Sequence, residues 1–272
     1  LSFSVRFGHI VAPPAIGAIW DTLGPWWAFW GLGLWGLGVV VTAWMLPGTD
    51  ATKPDAGPLV RPKLRVSDFL PRPSDYLDAF RLLGVPTIAI VIMASMMSHV
   101  GNAVQSSFYV VWVESMGISG FTIGLLLSAN SVCAAGGSLL TARVSRHIRP
   151  IWMVLGCVLA GVVFMCITPI LGTVFLLMVA SSLRGATNGL SQPLLISMVL
   201  RASGSVGQGK AVGLRGTCNR VASVSAPILM GALAEMLGIE NSFYAIGAII
   251  TVLMLLLVRH AKNTPDLTDR ED

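Results

Sequence analysis

The sequence is short of charge. Only 11% of its 272 residues are charged, less than half of the roughly 25% that is usual in soluble domains. The mean hydropathy is +0.76. The charges are also clustered, which leaves several runs of about twenty residues with almost none, the length needed to cross a bilayer. This composition excludes a soluble globular protein and predicts an all-α polytopic membrane protein.

The sequence lacks the residue clusters that a metal centre, a disulfide framework or a nucleic-acid-binding surface would require. The four cysteines lie in apolar stretches without CxxC spacing, and the four histidines are scattered with no acidic residue inside an apolar run. A metal centre requires clustered ligands, so we predict packed thiols, no metal and no cofactor. The net charge of +5 is spread over short loops and not gathered on one face, which argues against a nucleic-acid partner.

Apolar runs separated by polar turns predict eight transmembrane helices. Their predicted bounds are Ser4–Trp20, Trp26–Leu46, Gly84–Val113, Phe121–Ala142, Ile151–Thr168, Thr173–Leu200, Gly213–Ala234 and Ser242–Val258. Between the second and the third, the residues from Pro47 to Arg81 are rich in proline and charge, which predicts a linker. The first helix begins almost at Leu1, so we expect the chain to be the back part of a longer protein.

Basic residues are confined to one side of this predicted topology. Fifteen of the eighteen lie in the linker, in the tail, or in the loops after the fourth and sixth spans, a set that includes Arg215. Arg6 and Arg220 stand where their helices enter from that side, and Arg184 alone is deep. Cytoplasmic loops carry the excess of Lys and Arg. We therefore predict that the linker and the C-terminus are cytoplasmic, in an inner or plasma membrane.

The chain contains one stretch twice, because Arg6–Phe29 recurs without a gap as Arg220–Phe243. The eight identical pairs are Arg6/Arg220, Ala12/Ala226, Pro13/Pro227, Gly17/Gly231, Ala18/Ala232, Leu23/Leu237, Gly24/Gly238 and Phe29/Phe243, with Asp21 exchanged for Glu235. The two copies fall six spans apart and run in the same direction. Such a long repeat in an apolar chain indicates a transporter built from duplicated six-helix halves.

Three motifs resemble elements of the major facilitator superfamily. The stretches Ala12–Gly17 and Ala226–Gly231 each keep the Pro and the last Gly of the Gly-Pro-x-x-Gly-Gly element of its proton-coupled antiporters. The residues from Gly137 to His147, which include Arg143 and Arg146, resemble the second-half copy of its loop motif between helices two and three, without the motif's Asp. Arg184-x-x-x-Asn188-Gly189 is similar to the Arg-x-x-Gln-Gly element of its fourth helix, shifted by one residue.

This resemblance implies a partial major facilitator-type fold, with about eight transmembrane helices of a 6+6 parallel-repeat bundle, helices five to twelve. The division it implies is 1–46 for the last two helices of the N-terminal bundle, 47–82 for the central linker, 83–259 for the C-terminal bundle and 260–272 for the tail. It implies a secondary active transporter, not an enzyme, that moves a small solute by alternating access, with proton-coupled efflux or uptake among the forms open to it. The partners are then the solute, protons, membrane lipid and the missing N-terminal helices of the same chain.

Arg184 is the sharpest candidate for the solute site. It lies near the bilayer midplane, where a cation costs roughly 2.5–3.5 kcal/mol on insertion scales, and no acidic residue lies within any predicted span. Its counter-charge is then an anionic solute, an acid of the missing half, or helix-end carbonyls. A solute contact and a structural pairing both stay open.

Polar stripes flank this position on two spans. At 100° per residue, Asn188 and Gln192 share a face with Arg184, and a second stripe runs along the third span. The solute-binding candidates are Arg184, Asn188, Gln192, Asn102, Gln105, Tyr109, His99 and, more weakly, Asn130 on the fourth span. Such stripes are expected along a water-filled path, although interhelical hydrogen bonding is the alternative.

Four residues of the repeat predict bending points. Pro13 and Pro227 remove a backbone hydrogen bond in mid-helix, and Gly17 and Gly231 permit close helix approach one turn later. Static packing is the alternative. Arg6, Arg143, Arg146 and Arg220 are predicted to form the cytoplasmic gate and loop, with snorkelling to headgroups as the alternative for Arg6 and Arg220.

Two other functions stay open at this stage. A receptor or scaffold of the same fold is possible without transport. An intramembrane serine protease would use the Gly-x-Ser-Gly sequence around Ser119 with His99 as its base. Ser119 is predicted to lie in an outer loop, which argues against buried proteolytic chemistry.

Overall fold

The computed structural model describes residues 2–45 and 79–263, with the side chains of residues 2–7, 43, 205 and 206 excepted. Within these ranges the chain forms eight long helices and no strand. They are α1 (Ser2–Leu23), α2 (Pro25–Met45), α3 (Pro86–Ser115), α4 (Gly120–Val144), α5 (Pro150–Ile167), α6 (Val174–Ala202), α7 (Gly204–Leu237) and α8 (Ile239–Lys262). They match the eight predicted helices in order.

The helix boundaries follow local sequence chemistry. Pro86 and Pro150 occupy the first turns of α3 and α5, where a missing N–H removes no helical bond. The side chains of Ser119 and Thr173 accept hydrogen bonds from the first turns of α4 and α6, which satisfies backbone donors left open there. Among consecutive helices, α1 and α2, α5 and α6, α6 and α7, and α7 and α8 pack together.

The two copies of the repeat end in the same turn. Gly24 follows α1 with φ of +90°, and Gly238 follows α7 with φ of +84°. Side chains strongly disfavour this conformation, so a glycine is favoured at both turns. The repeat is therefore preserved in backbone geometry as well as in sequence.

Helices α3 to α8 form one bundle around a common core. The largest side chains that it buries completely include Leu126, Leu155, Met165, Leu177, Leu195, Met230, Phe243 and Met254. α1 packs along α4, and α2 packs mainly along α1. The tryptophans of α2 remain largely exposed, as do Leu34 and Leu37 on the same helix.

Five of the helices are long and apolar enough to cross a membrane by length and composition, α3, α4, α5, α7 and α8. α1, α2 and α6 have 22, 21 and 29 residues, and about twenty are sufficient for the crossing. Polar side chains dilute the hydropathy of α6. The structure therefore confirms an all-α bundle of apolar helices, and the crossing of α1, α2 and α6 stays a prediction.

Two local features differ from the prediction. α7 begins at Gly204, nine residues before the predicted Gly213. Arg215, which the charge count grouped with the basic residues of the preceding loop, therefore lies well inside the helix, and that grouping was wrong. The glycine-rich start of α7 has low helix propensity, and packing against α3 overrides it. α3 contains an unpredicted π-helical turn at Gln105–Tyr109, a feature frequent at functional sites.

Some predictions lie outside the described residues. Residue 46, residues 47–78 of the linker and residues 264–272 of the tail are among them, as is the side chain of Arg6. The division into 1–46, 47–82, 83–259 and 260–272 therefore stays a prediction. Arg143, Arg149, Arg201, Lys210 and Lys262 lie at one end of the bundle, here named the basic end, and the loops before α4, α6 and α8 lie at the opposite end.

Candidate functional site

The two predicted polar stripes face each other between α3 and α6. The amide of Asn188 lies 3.5 Å from the amide oxygen of Asn102. The amide nitrogen of Gln192 lies 3.5 Å from the hydroxyl of Ser98 and 3.3 Å from the amide oxygen of Asn188. These contacts are longer than the usual 2.9–3.0 Å of a good hydrogen bond, so the amides are paired only weakly.

A second set of polar contacts lies nearer the opposite end. The hydroxyls of Tyr109 and Ser181 are 3.3 Å apart, and the amide of Asn130 donates to the carbonyl of Ser181 at 2.9 Å. Tyr109 and Gln105 are buried on the π-helical turn of α3. The short bond from Asn130 fits the alternative that this residue joins α4 to α6.

Arg184 is enclosed within the bundle. Its side chain is 7% exposed and donates a hydrogen bond to the carbonyl of Gly101 on α3. It lines a cavity of about 20 Å³ between α3, α5 and α6, which is room for a single water. In the described part of the chain no carboxylate contacts it. Its charge is therefore met by a backbone carbonyl in this conformation.

The close packing of α6 against α4 determines the direction in which the polar stripe of α6 faces. A Cβ added to Gly185 would overlap the carbonyl of Asn130, and one added to Gly189 would overlap the carbonyl of Ala134. Glycines four residues apart permit such close approach. They occupy the face of α6 that adjoins the stripe, so Arg184 and Asn188 turn towards α3. The spacing of these glycines was a sequence signal that could have identified the contact.

Arg215 belongs to the same polar region, although the sequence prediction grouped it with the basic residues that follow the sixth span. It is 9% exposed. Its Nε donates to the hydroxyl of Ser95 at 3.0 Å, and an Nη donates to the amide oxygen of Gln192 at 3.2 Å. Ser95 in turn donates to Asn219 at 3.0 Å. The i, i+4 spacing of Arg215 and Asn219, both polar, was the signal that could have placed them on one helical face.

These residues form a cluster of polar groups, which we name the polar column. Hydrogen bonds link six of its members, Ser95, Ser98, Asn102, Asn188, Gln192 and Arg215. The seventh, Arg184, lines a cavity together with Ser98, Asn102 and Asn188. Gln192 follows Arg184 by two helical turns, about 12 Å along α6, so the column runs from mid-bundle towards the basic end. His99 stands beside it, with Arg215 and Arg220 as its charged neighbours.

The predicted bending and gating residues make no hydrogen bond with the column in the described part of the chain. Gly17 on α1 packs against Gly120, whereas a Cβ added to Gly231 on α7 would lie 3.8 Å from the ring of Phe108. Pro13 and Pro227 lie inside their helices. Arg143, Arg146 and Arg220 are exposed, the first two at the basic end. Bending at the prolines and gating by the arginines stay predictions.

A larger groove, of about 510 Å³, lies between α1, α3 and α4. It is large enough for a small solute, but apolar side chains and small residues provide most of its lining. None of the predicted solute-binding residues lines it. Among the described residues, four of the candidates meet in the polar column, Asn102, Arg184, Asn188 and Gln192.

The proposed serine protease pair is not brought together. The hydroxyl of Ser119 caps α4 and contacts Thr122 at 2.9 Å. His99 precedes the end of α3 at Ser115 by more than four helical turns, about 24 Å. Ser119 is therefore occupied as a helix cap at one end of the bundle, whereas His99 lies near the middle of α3.

Apolar helices around a column of amides and arginines define a polytopic α-helical membrane protein. The sequence profile of the Major Facilitator Superfamily matches residues 91–272. The chain therefore belongs to the major facilitator superfamily, a family of membrane transporters, and the family predicted from its motifs is confirmed. A search of the curated proteins finds no match.

Proposed function

We propose that the protein moves a small anionic solute across the membrane by alternating access, and that the solute binds at the polar column. The facing amides of Asn102, Asn188 and Gln192 are the observation that carries this proposal. They lie inside a bundle of apolar helices and satisfy each other only at 3.3–3.5 Å. A solute that accepts stronger hydrogen bonds could replace these contacts with little loss.

The charge of the column supports an anionic solute. Two buried arginines, Arg184 and Arg215, contact neutral groups, and no carboxylate contacts either of them in residues 2–45 and 79–263. An unpaired cation at membrane depth is costly, and an anion that enters the column lowers this cost. An anionic solute is then expected to bind most strongly beside the arginines, whose positive charge no carboxylate of the described residues neutralises.

The direction of the column supports an orientation for the protein. The column runs towards the basic end, which carries exposed arginines such as Arg143 and Arg146. Because excess Lys and Arg marks cytoplasmic loops, we infer that the basic end faces the cytoplasm of an inner or plasma membrane. Protons remain the candidate coupling ion, with His99 as the titratable group beside the column.

Flux measurements on vesicles test the proposal. The full chain and its Arg184→Ala variant are reconstituted, and uptake of phosphate, succinate, choline and glucose is compared. We expect flux of at least one anion and none of choline or glucose, and a loss of more than tenfold in Arg184→Ala at equal abundance. Arg201→Ala is the matched control, because Arg201 is an exposed arginine on the same helix.

Two results would contradict the proposal. Equal anion flux in Arg184→Ala and in the unchanged protein would remove Arg184 from the solute site. Loss of folded protein in Arg184→Ala, without any change in flux per folded molecule, would assign the arginine a structural role through Gly101.

A further inference from the structure

The helix α5 borders the site around Arg184, although no residue of α5 was predicted to contact the solute. The cavity beside Arg184 lies between α3, α5 and α6, and its wall on α5 consists of Cys157, Val158, Gly161 and Val162. Residues four apart lie on the same face of a helix. One face of α5, made of small and apolar residues, therefore closes the cavity.

The walls that come from α3 and α6 are polar. Asn102, Asn188 and Ser98 line the cavity together with Arg184. A guanidinium carries five N–H donors, and the carbonyl of Gly101 accepts one hydrogen bond from Arg184. Among the described residues no occluded side-chain nitrogen lacks a partner, so the donors that Gly101 leaves free remain accessible. Carboxylate and phosphate oxygens are the acceptors that such donors bind most strongly.

The size of the cavity limits the group that can enter it. Its volume of about 20 Å³ is room for one water-sized group. A single terminal oxygen of a carboxylate or a phosphate is of that size, whereas a bulky substituent is not. The apolar wall on α5 therefore limits how much of an anion reaches Arg184.

Gly161 is the position on α5 where a side chain would reduce this space. A Cβ added there would lie 3.3 Å from the hydroxyl oxygen of Thr187 on α6, and both residues line the cavity. The same hydroxyl donates to the carbonyl of Arg184 at 2.9 Å, which holds it in place. A methyl group at position 161 therefore has little space except the cavity itself.

We propose that Gly161 of α5 determines the size of the anionic group that reaches Arg184, and that the cavity it borders takes one terminal oxygen of an oxyanion, a carboxylate or a phosphate. This inference rests on the proposed function, because it describes the end of the solute that the polar column binds. It adds to the column a wall on α5 that carries no charge and acts only through the space that it leaves.

A thiol that lines the same cavity provides the binding test. Cys157 precedes Gly161 by about one helical turn. The purified full chain is treated with methyl methanethiosulfonate in the presence of phosphate, succinate or choline, and the modification of Cys157 is followed by peptide mass spectrometry. Phosphate or succinate should slow this modification at least fivefold, and choline should not.

Two results of this test would overturn the proposal. The first is an unchanged rate of Cys157 modification in both phosphate and succinate, at concentrations that saturate flux. The second concerns the lipid headgroup, which also presents phosphate oxygens. Protection of Cys157 by phosphatidylglycerol added to the micelles, without protection by either soluble anion, would assign the cavity to lipid.

Variants of two glycines on α5 test the position. In Gly161→Ala the methyl group enters the cavity, so the anion concentration that half-protects Cys157 should rise at least tenfold, and further in Gly161→Val. Gly156→Ala is the matched control, because Gly156 is exposed and a Cβ there would meet no atom of a neighbouring described helix within 4 Å. Equal half-protecting concentrations in Gly161→Ala and the unchanged protein would refute the proposal.

Flux in vesicles separates this inference from the proposed function. Gly161→Ala should raise the KM of the transported anion more than it lowers kcat, since Arg184 and the amides stay in place. Cys157→Leu fills the same cavity and serves, with KM as its measure, if Gly161→Ala does not fold. An unchanged KM in Gly161→Ala, together with loss of flux in Arg184→Ala, would sink the size limit and leave the proposed function standing. No anion flux in the unchanged protein would contradict both.

Discussion

The two copies of the repeat, α1 and α7, have similar sequences and different surroundings. On α1, the carboxylate of Asp21 accepts hydrogen bonds from the backbone N–H groups of Gly120 and Phe121, at 2.9 and 2.8 Å. These groups lie in the first turn of α4, where free donors and the helix dipole favour an anion. Gly17 packs directly against Gly120 one turn earlier. α1 is therefore fixed to α4 at the opposite end of the bundle.

On α7 the corresponding residues have no such contacts. Glu235 is exposed, and the structure gives it no hydrogen bond in the described part of the chain. A Cβ added to Gly231 would lie 3.8 Å from the ring of Phe108, an ordinary contact. Both copies of the repeat therefore form a helix that ends in a glycine turn. The contacts that each residue of the repeat makes depend on the helix packed against that copy.

One sequence difference between the copies has a direct physical consequence. Pro14 in α1 corresponds to Ile228 in α7. Because proline has no N–H, Pro14 cannot bond to the carbonyl of Ile10, four residues earlier. The hydroxyl of Ser128 on α4 donates to that carbonyl instead. The second proline thus leaves the carbonyl of Ile10 on α1 without its helical donor, whereas Ile228 at the equivalent position of α7 keeps its backbone N–H.

The largest difference in stability between matched variants of the two copies is expected at Gly17 and Gly231. In Gly17→Ala the new methyl group overlaps backbone atoms of Gly120 and Phe121, which cannot move as a side chain can. We expect a loss of about 1–3 kcal/mol in the free energy of unfolding. Gly231→Ala is the matched control, and we expect it to be neutral or slightly stabilising because alanine favours helix. Denaturation of both variants in one detergent is the measurement, and equal changes would contradict the contrast.

A smaller difference in stability is expected between variants of the two matched acidic residues, Asp21 and Glu235. Asp21→Asn removes the charge at the start of α4 and leaves one oxygen to serve two N–H groups. We expect a loss of about 1–2 kcal/mol, as for a helix cap. Glu235→Gln, its counterpart, should change the denaturation midpoint very little. A midpoint that falls equally in both variants would show that the contact of Asp21 with α4 carries no stability.

Much of the fold was accessible from the sequence, because it depends on patterns along the chain. Apolar runs gave eight helices in the right order, and the repeat predicted that Gly24 and Gly238 occupy equivalent positions. The start of α7 was missed. Its glycines argue against helix locally, and tertiary packing overrides them, because Ala211 in the missed part is fully buried in the core.

The candidate site was accessible only in part. Helical periodicity placed Asn188 and Gln192 on the face of Arg184, and the structure brings them against Asn102 and Ser98. Arg215 was missed because its partners belong to helices far away in the sequence. The contact of Asp21 with α4 was missed for the same reason. Periodicity gives the face of a helix, and the helix that covers this face depends on tertiary packing.

The smallest effect is expected at Ser128. Ser128→Ala removes the donor that replaces the missing N–H of Pro14, so the free energy of unfolding should fall by about 0.5–1 kcal/mol. Ser225→Ala on α7 is the control, since Ser225 bonds only to carbonyls of its own helix, which keep their backbone donors.

A double-mutant cycle sharpens this prediction. Pro14→Ile makes α1 resemble α7 and restores an N–H to the carbonyl of Ile10. In that background Ser128→Ala should cost nothing, which gives a coupling energy of about 0.5–1 kcal/mol between the two positions. Denaturation curves of the four proteins measure it. If the two substitutions are strictly additive, the hydroxyl of Ser128 does not compensate for Pro14, and the difference between the two copies must lie in Gly17 and Asp21 alone.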